Sequence, residues 1–323
     1  MTASQNILET LVVSPEEIGL RFDQFLVKHF PSHSRSYLQR CVEDQLITVN
    51  GVPARPGLRL EGDETIAVLG WRDETPEAIQ AADIPLDVLF EDDDLLVINK
   101  PAGLVVHPAP GNRQGTLVSA LLNYAPETFS EQSDDEDIRP GIVHRLDKDT
   151  SGVMVIAKSP DAFSKLKEDF REHRVDKIYL AIARGRFRDG FGVIDLPIGR
   201  DEKNRLKRVV CAEGGKEALT KYRRVGEAYG CTLLQVRLYT GRTHQIRVHL
   251  AHLGHPVLGD LLYSGGAQCP PFRYKRQLLH AWKLALQHPR TGERMVFTAP
   301  PAPDMASEIN RFADFCDLSL LEG

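Results

Sequence analysis

His144-Arg145-Leu146-Asp147-Lys148-Asp149-Thr150-Ser151-Gly152 is the stretch from which the rest of the 323-residue chain is read. Apolar runs flank it, Ile142-Val143 before and Val153-Met154-Val155-Ile156-Ala157 after. Short runs rich in β-branched residues are the pattern of buried strands. The order predicts strand, tight loop, strand, with Gly152 easing the turn and Asp147 presented at the sheet edge. Two readings compete for such a loop. In one, Asp147, Asp149, Thr150 and Ser151 hydrogen-bond their own backbone and form a solvated turn. In the other, His144 and Arg145 enter from a buried strand because the loop carries chemistry, which is often placed on loops held by a rigid scaffold.

A chain of this length can bury a large core and is expected to hold two domains. Its apolar share of 42% and charged share of 26% are those of a globular protein. No apolar run approaches the ~20 residues needed to span a membrane. Met1 to Glu9 lacks the basic start and apolar segment of a secretory signal. Cys41, Cys211, Cys231, Cys269 and Cys316 are scattered, which suggests reduced thiols and a cytoplasmic location. The net charge of -5 conceals an uneven distribution. Acids crowd Glu61–Asp94 and Glu131–Asp137, whereas Arg35, Arg40 and the tract Arg200–Arg208 are basic. Local basic faces decide phosphate binding more than the total does.

Helical spacing of Phe22, Phe25, Leu26 and Phe30, then Ser34 ahead of Tyr37, Leu38, Cys41 and Val42, predicts two short helices. Leu46–Val49 runs into Asn50-Gly51, the strongest short hairpin signal, and Thr65–Leu69 is a further strand. This gives a small α+β unit over residues 15–70. Residues 71–83, acidic and without a period, are a linker. A second domain then occupies 84–317. Within it Leu95–Asn99 is a buried strand ended by Pro101, Gly115-Thr116-Leu117 opens a helix, and Ser159-Pro160 opens another. Val175–Ala183, containing Tyr179, and Ala218–Val225 with Cys231–Tyr239 read as strands. Thr243 is the expected cap of a helix whose apolar stripe is Ile246, Leu250 and Leu253, closed by Gly254, with Arg247 off the stripe. Leu278–Leu286 and Arg294–Thr298 read as a hairpin, and Asp304 as the cap of a last helix. His244, His249, His252 and His255 do not have zinc-ligand spacing, and no metal is expected.

The opening nonapeptide resembles, residue for residue, the His-Arg-Leu-Asp-x-x-Thr-Ser-Gly signature of the RluA/RluD-type pseudouridine synthases. That resemblance implies a mixed, mainly antiparallel sheet in an α+β catalytic domain, with Asp147 as the catalytic residue. Lys177–Ala181 then occupies the place of a second family motif, whose tyrosine stacks on the target base, implying that role for Tyr179. Gly241–Leu250 resembles a third, whose arginine pairs with the catalytic carboxylate, implying that role for Arg247. Leu278-Leu279-His280-Ala281 is similar to the family's pocket-wall segment and points to Leu279. Arg145 or His144 would fill the space left by an extruded uridine or position a phosphate. Ser34-Arg35-Ser36, Val49-Asn50-Gly51 and Gly62-Asp63 make residues 15–70 similar to an S4-like RNA-binding domain, with Arg35 and Arg40 facing phosphates.

The resemblance implies isomerisation of uridine to pseudouridine without a cofactor, by a monomer acting on RNA, with 23S ribosomal RNA or a pre-ribosomal particle favoured over transfer RNA. An RNA-binding assembly factor without activity would instead need Arg35, Arg40 and the basic tract but not Asp147. A glycoside hydrolase using Asp147 and Asp149 is disfavoured, since no aromatic sugar platform is evident. The tract Arg200–Arg208 is either a flexible surface loop or a contact along the RNA backbone.

Overall fold

The computed structural model describes residues 7–72, 79–107, 114–130, 140–265 and 274–312. The acidic segment Glu131–Asp137, Cys269 and Cys316 lie outside these residues. The chain divides into two compact units, Met1–Ala78 and Ile79–Gly323.

The first unit runs β1 (Glu9–Val12), α1 (Phe22–His29), α2 (Arg35–Glu43), β2 (Ile47–Val49), β3 (Val52–Pro53) and β4 (Thr65–Val68), with sheet order β1-β4-β2-β3. Ser34 caps α2 by accepting the Tyr37 N–H, as its residue type predicts. Asn50 and Gly51 both adopt positive φ, 51° and 73°, the requirement of the tight turn that joins β2 to β3. Phe22, Phe25, Leu26, Leu38 and Ile66 form its core. Strand β1 has no local signal and forms by pairing with β4, more than fifty residues along the chain.

The second unit contains β5 (Val88–Glu91), β6 (Leu95–Lys100), α3 (Leu117–Tyr124), α4 (Pro126–Ser130), β7 (Ser151–Ala157), α5 (Pro160–Arg171) and β8 (Asp176–Arg184). It continues through β9 (Phe191–Asp195), β10 (Ile198–Arg200), β11 (Arg208–Val210), β12 (Leu219–Ala228), β13 (Cys231–Leu238), α6 (Gln245–His252), β14 (Leu279–Gln287), β15 (Arg294–Thr298) and α7 (Pro303–Phe312). Nine strands form one mixed sheet in the order β5-β6-β7-β14-β8-β13-β12-β9, with β15 added on β14. Among the described strands of this sheet, only β7 and β14 pair in parallel. The unit is therefore α+β, with an almost wholly antiparallel sheet. Tyr179, Ala181 and Ala183 of β8 face a large core shared with Ile246 and Leu250 of α6; Leu180 and Ile182 face a smaller one covered by Met305 and Ile309 of α7.

Three local expectations need correction. The nonapeptide does not lie between two strands: Ile142 makes only an isolated bridge to Ile156, and β7 begins inside the motif at Ser151. Thr243 does not cap α6; the N-cap is His244, left-handed at φ 60°, with no side-chain cap bond. Asp304 sits inside the first turn of α7, which already begins at Pro303. The basic tract is the loop of a two-stranded ribbon: β10, ending at Arg200, pairs with β11, which begins at Arg208, and Asp201 Oδ1 accepts the N–H groups of Lys203 and Asn204.

Candidate active site

Asp147 sits on the loop immediately before β7. The Thr150 N–H closes a turn on the Asp147 carbonyl at 3.1 Å. Gly152 explains why β7 can continue from so tight a loop. Its φ is +121°, and a Cβ there would fall 2.1 Å from the Ala281 carbonyl oxygen, so only glycine lets β7 approach β14. The loop is then fastened from three sides. Ser151 Oγ bonds His280 Nδ1 at 2.9 Å, and Arg276 donates to the Asp149 carbonyl at 3.1 Å. The third fastening is Lys100, whose Nζ donates to the carbonyls of Pro101, Leu104 and Lys148 at 2.8, 2.8 and 3.1 Å. Lys100 is fully buried. That burial pushes its ammonium down to about 8, against the charges of Asp149 and Asp147.

Arg247 comes to Asp147 from α6, one hundred residues along the chain. Its Nη1 donates to Asp147 Oδ2 at 3.0 Å. Its Nε and Nη2 make a two-pronged contact with Asp260, at 2.6 and 3.0 Å. Asp260 is fully buried and also accepts the N–H groups of Leu262 and Tyr263. The guanidinium is thus clamped on one edge and offered to Asp147 on the other, a fork geometry that lysine cannot supply. The two carboxylates outweigh burial and raise the Arg247 pKa. Asp147 retains modest exposure, 17% of its side chain, and no donor among the described residues reaches its Oδ1. In the sequence Asp260 stands in Leu258-Gly259-Asp260, a stretch that continues the family resemblance after the third motif. Nothing local marks it as the anchor of Arg247.

Tyr179 is buried on β8, opposite Ala281 of β14. Burial first, and the charge of Asp147 second, raise the pKa of its phenol, which stays protonated. Leu279 is buried in the same core, paired with Ala181 two residues further along β8. Residues from β7, β8, β14 and α6 therefore converge on one place.

His144 and Arg145 part ways. The His144 ring stacks on Phe170 with centroids 4.5 Å apart, and its Nε2 accepts the Val155 N–H at 3.0 Å. Burial pushes its imidazole down to about 3, so it is neutral. His144 is a brace between the loop, β7 and α5. Arg145 is exposed.

From sequence His244 reads as a surface or capping histidine rather than a metal ligand. Its Nε2 lies 3.8 Å from Asp147 Oδ2 and its Nδ1 2.8 Å from Tyr263 Oη. The same phenol accepts the Arg208 N–H at 2.9 Å, which ties the basic ribbon to the site. Arg208 Nη1 is buried with no acceptor among the described residues.

In the first unit Arg35 and Arg40 are both exposed on α2. Arg35 is committed to Asp23, at 2.7 Å, and that buried carboxylate also binds Arg21 and Gln39. These partners hold Asp23 well below the usual carboxylate range in spite of its burial.

Asp92, Asp94 and His288 bring ligand atoms within 4.8 Å of one another. Their oxygens are already used: Asp92 accepts the N–H groups of Asp94 and Leu95 and bonds His288, and Asp94 bonds Ser159 and Arg290. With an arginine in place, the cluster is a structural knot rather than a cation site.

The description "RNA pseudouridylate synthase" belongs to the family model that matches residues 94–252, and the S4 domain model matches residues 20–66. The "Ribosomal large subunit pseudouridine synthase D" of Nitrosomonas europaea is 42% identical over 309 residues, covering 94% of this chain and 87% of that protein. The protein of the same name from Haemophilus influenzae is 42% identical over 319 residues, covering 94% of this chain and 95% of the other. The solved structure of "Human RNA Pseudouridylate Synthase Domain Containing 1" superposes with a TM-score of 0.54 at 28% identity, over 70% of this chain and 88% of that one. Alongside a fold that sets Arg247 against Asp147, these likenesses show that the chain belongs to the RNA pseudouridylate synthase family.

Proposed function

We propose that the protein isomerises uridine to pseudouridine in large-subunit ribosomal RNA, with Asp147 as the catalytic carboxylate. The observation that carries this reading is the chain Asp147–Arg247–Asp260, which anchors one oxygen of Asp147 and leaves the other for a substrate. The reaction breaks the bond between uracil N1 and ribose C1′, turns the base, forms the bond from C5 to C1′, and releases the C5 proton while N1 takes one up. Attack by the carboxylate at C6 of the base, attack at the ribose, and assisted elimination all require one ionised oxygen beside the glycosidic carbon.

The target nucleotide must leave its stack, which costs a few kcal/mol. Contact with the Tyr179 ring returns part of that, since a base–aromatic contact is worth ~1–3 kcal/mol. Leu279 supplies apolar wall, exposed Arg145 enters the space the uridine leaves, and Arg208 offers its spare donor to a backbone phosphate. Arg40, with Arg35 on its salt bridge beside it, places the S4 domain against phosphates. The ribosomal substrate is supported by relatives whose names specify the large ribosomal subunit. The enzyme then works in the cytoplasm, as a monomer, on 23S RNA or a pre-ribosomal particle.

The test is a map of pseudouridines in RNA from cells lacking the gene, complemented by the wild-type chain or by Asp147→Asn. Loss of specific large-subunit sites, restored only by the wild type, supports the reading. Loss confined to transfer RNA removes the substrate assignment, and restoration by Asp147→Asn removes the catalytic one.

A further inference from the structure

His244 is held in a conformation that its place in the helix does not require. It is the N-cap of α6, yet its side chain caps nothing, and the first turn is tied instead by Gln245, whose Oε1 accepts the Arg242 N–H and the Thr240 hydroxyl. A left-handed backbone at φ 60° is uncommon for a residue with a side chain, and such residues gather at functional sites. Here the conformation carries the imidazole to Asp147, 3.8 Å from Oδ2, the same oxygen that Arg247 holds. That separation is too long for a hydrogen bond and short enough to become one with a small rotation.

The other ring nitrogen fixes which way the imidazole works. Tyr263 Oη already accepts the Arg208 N–H, so the phenol proton is the natural partner of His244 Nδ1, 2.8 Å away. An imidazole that accepts at Nδ1 carries its own proton on Nε2. The Tyr263 ring also lies 5.1 Å from the Arg247 guanidinium and edge-on to His244, so one aromatic sets the position of both groups that flank Asp147.

We infer that His244 is a positioning residue for the isomerisation: oriented through Tyr263 by the Arg208 main chain, it presents Nε2–H to Oδ2 of Asp147 and, with Arg247, keeps Oδ1 as the oxygen that meets the uridine. The inference rests on the proposed role of Asp147. It also gives the basic ribbon β10–β11 a second task, because the residue that starts β11 sets the hydroxyl that sets the tautomer.

Only neutral His244 fits this arrangement, since a protonated ring would set Nδ1–H against the phenol proton. Burial, with the charges of Arg247 and Arg208, lowers its pKa, while Asp147 and Asp260 oppose that shift. The wild-type rate therefore has an acid-side step below the ordinary imidazole range.

The experiment measures tritium release from uridine-labelled ribosomal RNA, across about pH 5 to 9, either side of the imidazole value of about 6.5. It compares the wild type with His244→Ala, His244→Gln and Tyr263→Phe, each checked by thermal melting. His244→Ala and Tyr263→Phe should lower kcat about tenfold, the order set by one hydrogen bond to a charged group, with KM within about twofold. His244→Gln retains an N–H donor near the Nε2 position, so it should recover most of the rate and lose the histidine step from the acid limb. Rates of His244→Ala and Tyr263→Phe within about twofold of wild type, a glutamine variant as slow as the alanine one, or an unchanged acid limb in that variant would each overturn the inference. An active Asp147→Asn control would instead overturn the underlying assignment.

Discussion

Replacing Asp260 by asparagine keeps the shape of the side chain and removes the anchor of Arg247. In the native site Asp260 Oδ1 accepts Arg247 Nη2 and two backbone N–H groups, and Oδ2 accepts Arg247 Nε at 2.6 Å. Asparagine can place its oxygen at the first position. Its amide group then faces Nε–H, donor against donor. One charge-assisted bond is lost, about 1.5–3 kcal/mol, and a buried donor is left unmet, about 1–3 kcal/mol. Breaking a buried ion pair costs about 3–5 kcal/mol, and Asp147 remains to offset part of it, so about 3 kcal/mol is expected. For a unit of this size that is a fall in melting temperature of roughly 6–12 °C, followed by calorimetry. Freed on its anchored edge, the guanidinium no longer fixes Asp147, and misplacement of a reacting group by about 1 Å can cost about a hundredfold in rate. A variant that melts within about 2 °C of wild type and turns over within about threefold would refute the claim that Asp260 holds the site.

Gly152→Ala should destabilise the second unit by more than about 3 kcal/mol, because its Cβ would meet backbone rather than a movable side chain, and melting measures it directly. Buried neutral His144 and His280 are pushed down to about 3 and about 4, whereas unfolded imidazoles titrate near about 6.5. The unfolded chain thus takes up protons first, so their stabilising contribution is full above about pH 6.5 and is lost on acidification toward those folded values. Melting at about pH 7.5 and 5 should show that loss, and His144→Gln, whose amide oxygen can accept the Val155 N–H, should reduce it. Arg40→Ala should weaken RNA binding about evenly across sequences and reduce the salt slope by about one, read by filter binding over a salt series. Arg35→Ala should in addition lower the stability of the first unit, because it withdraws a partner from buried Asp23.

Residues that announce themselves by type and neighbours were legible from sequence alone. Ser34 and Ser159 cap their helices, Asn50-Gly51 turns its hairpin, and Gly254 ends α6 at φ +82°. Asp147, Tyr179 and Arg247 were singled out by motif identity. No spacing rule links residues a hundred positions apart, and it is the sheet order that brings them together. Asp260 and Lys100 stayed hidden because a buried charge has meaning only once its partner is placed. The stacking of His144 on Phe170 was hidden for the opposite reason: within a functional motif its sequence neighbours draw attention, while its structural partner lies on a helix further along the chain. His244 could have been found by asking why a histidine, rather than serine or aspartate, stands directly before a helix.

The role of Asp147 is decided by tritium release from uridine-labelled ribosomal RNA with Asp147→Asn, alongside a binding isotherm on the same RNA. The substitution preserves volume and leaves the Arg247–Asp260 clamp in place. No detectable product is expected, with RNA affinity within about threefold of wild type, since phosphate contacts elsewhere dominate binding. Turnover at the wild-type rate would contradict that role.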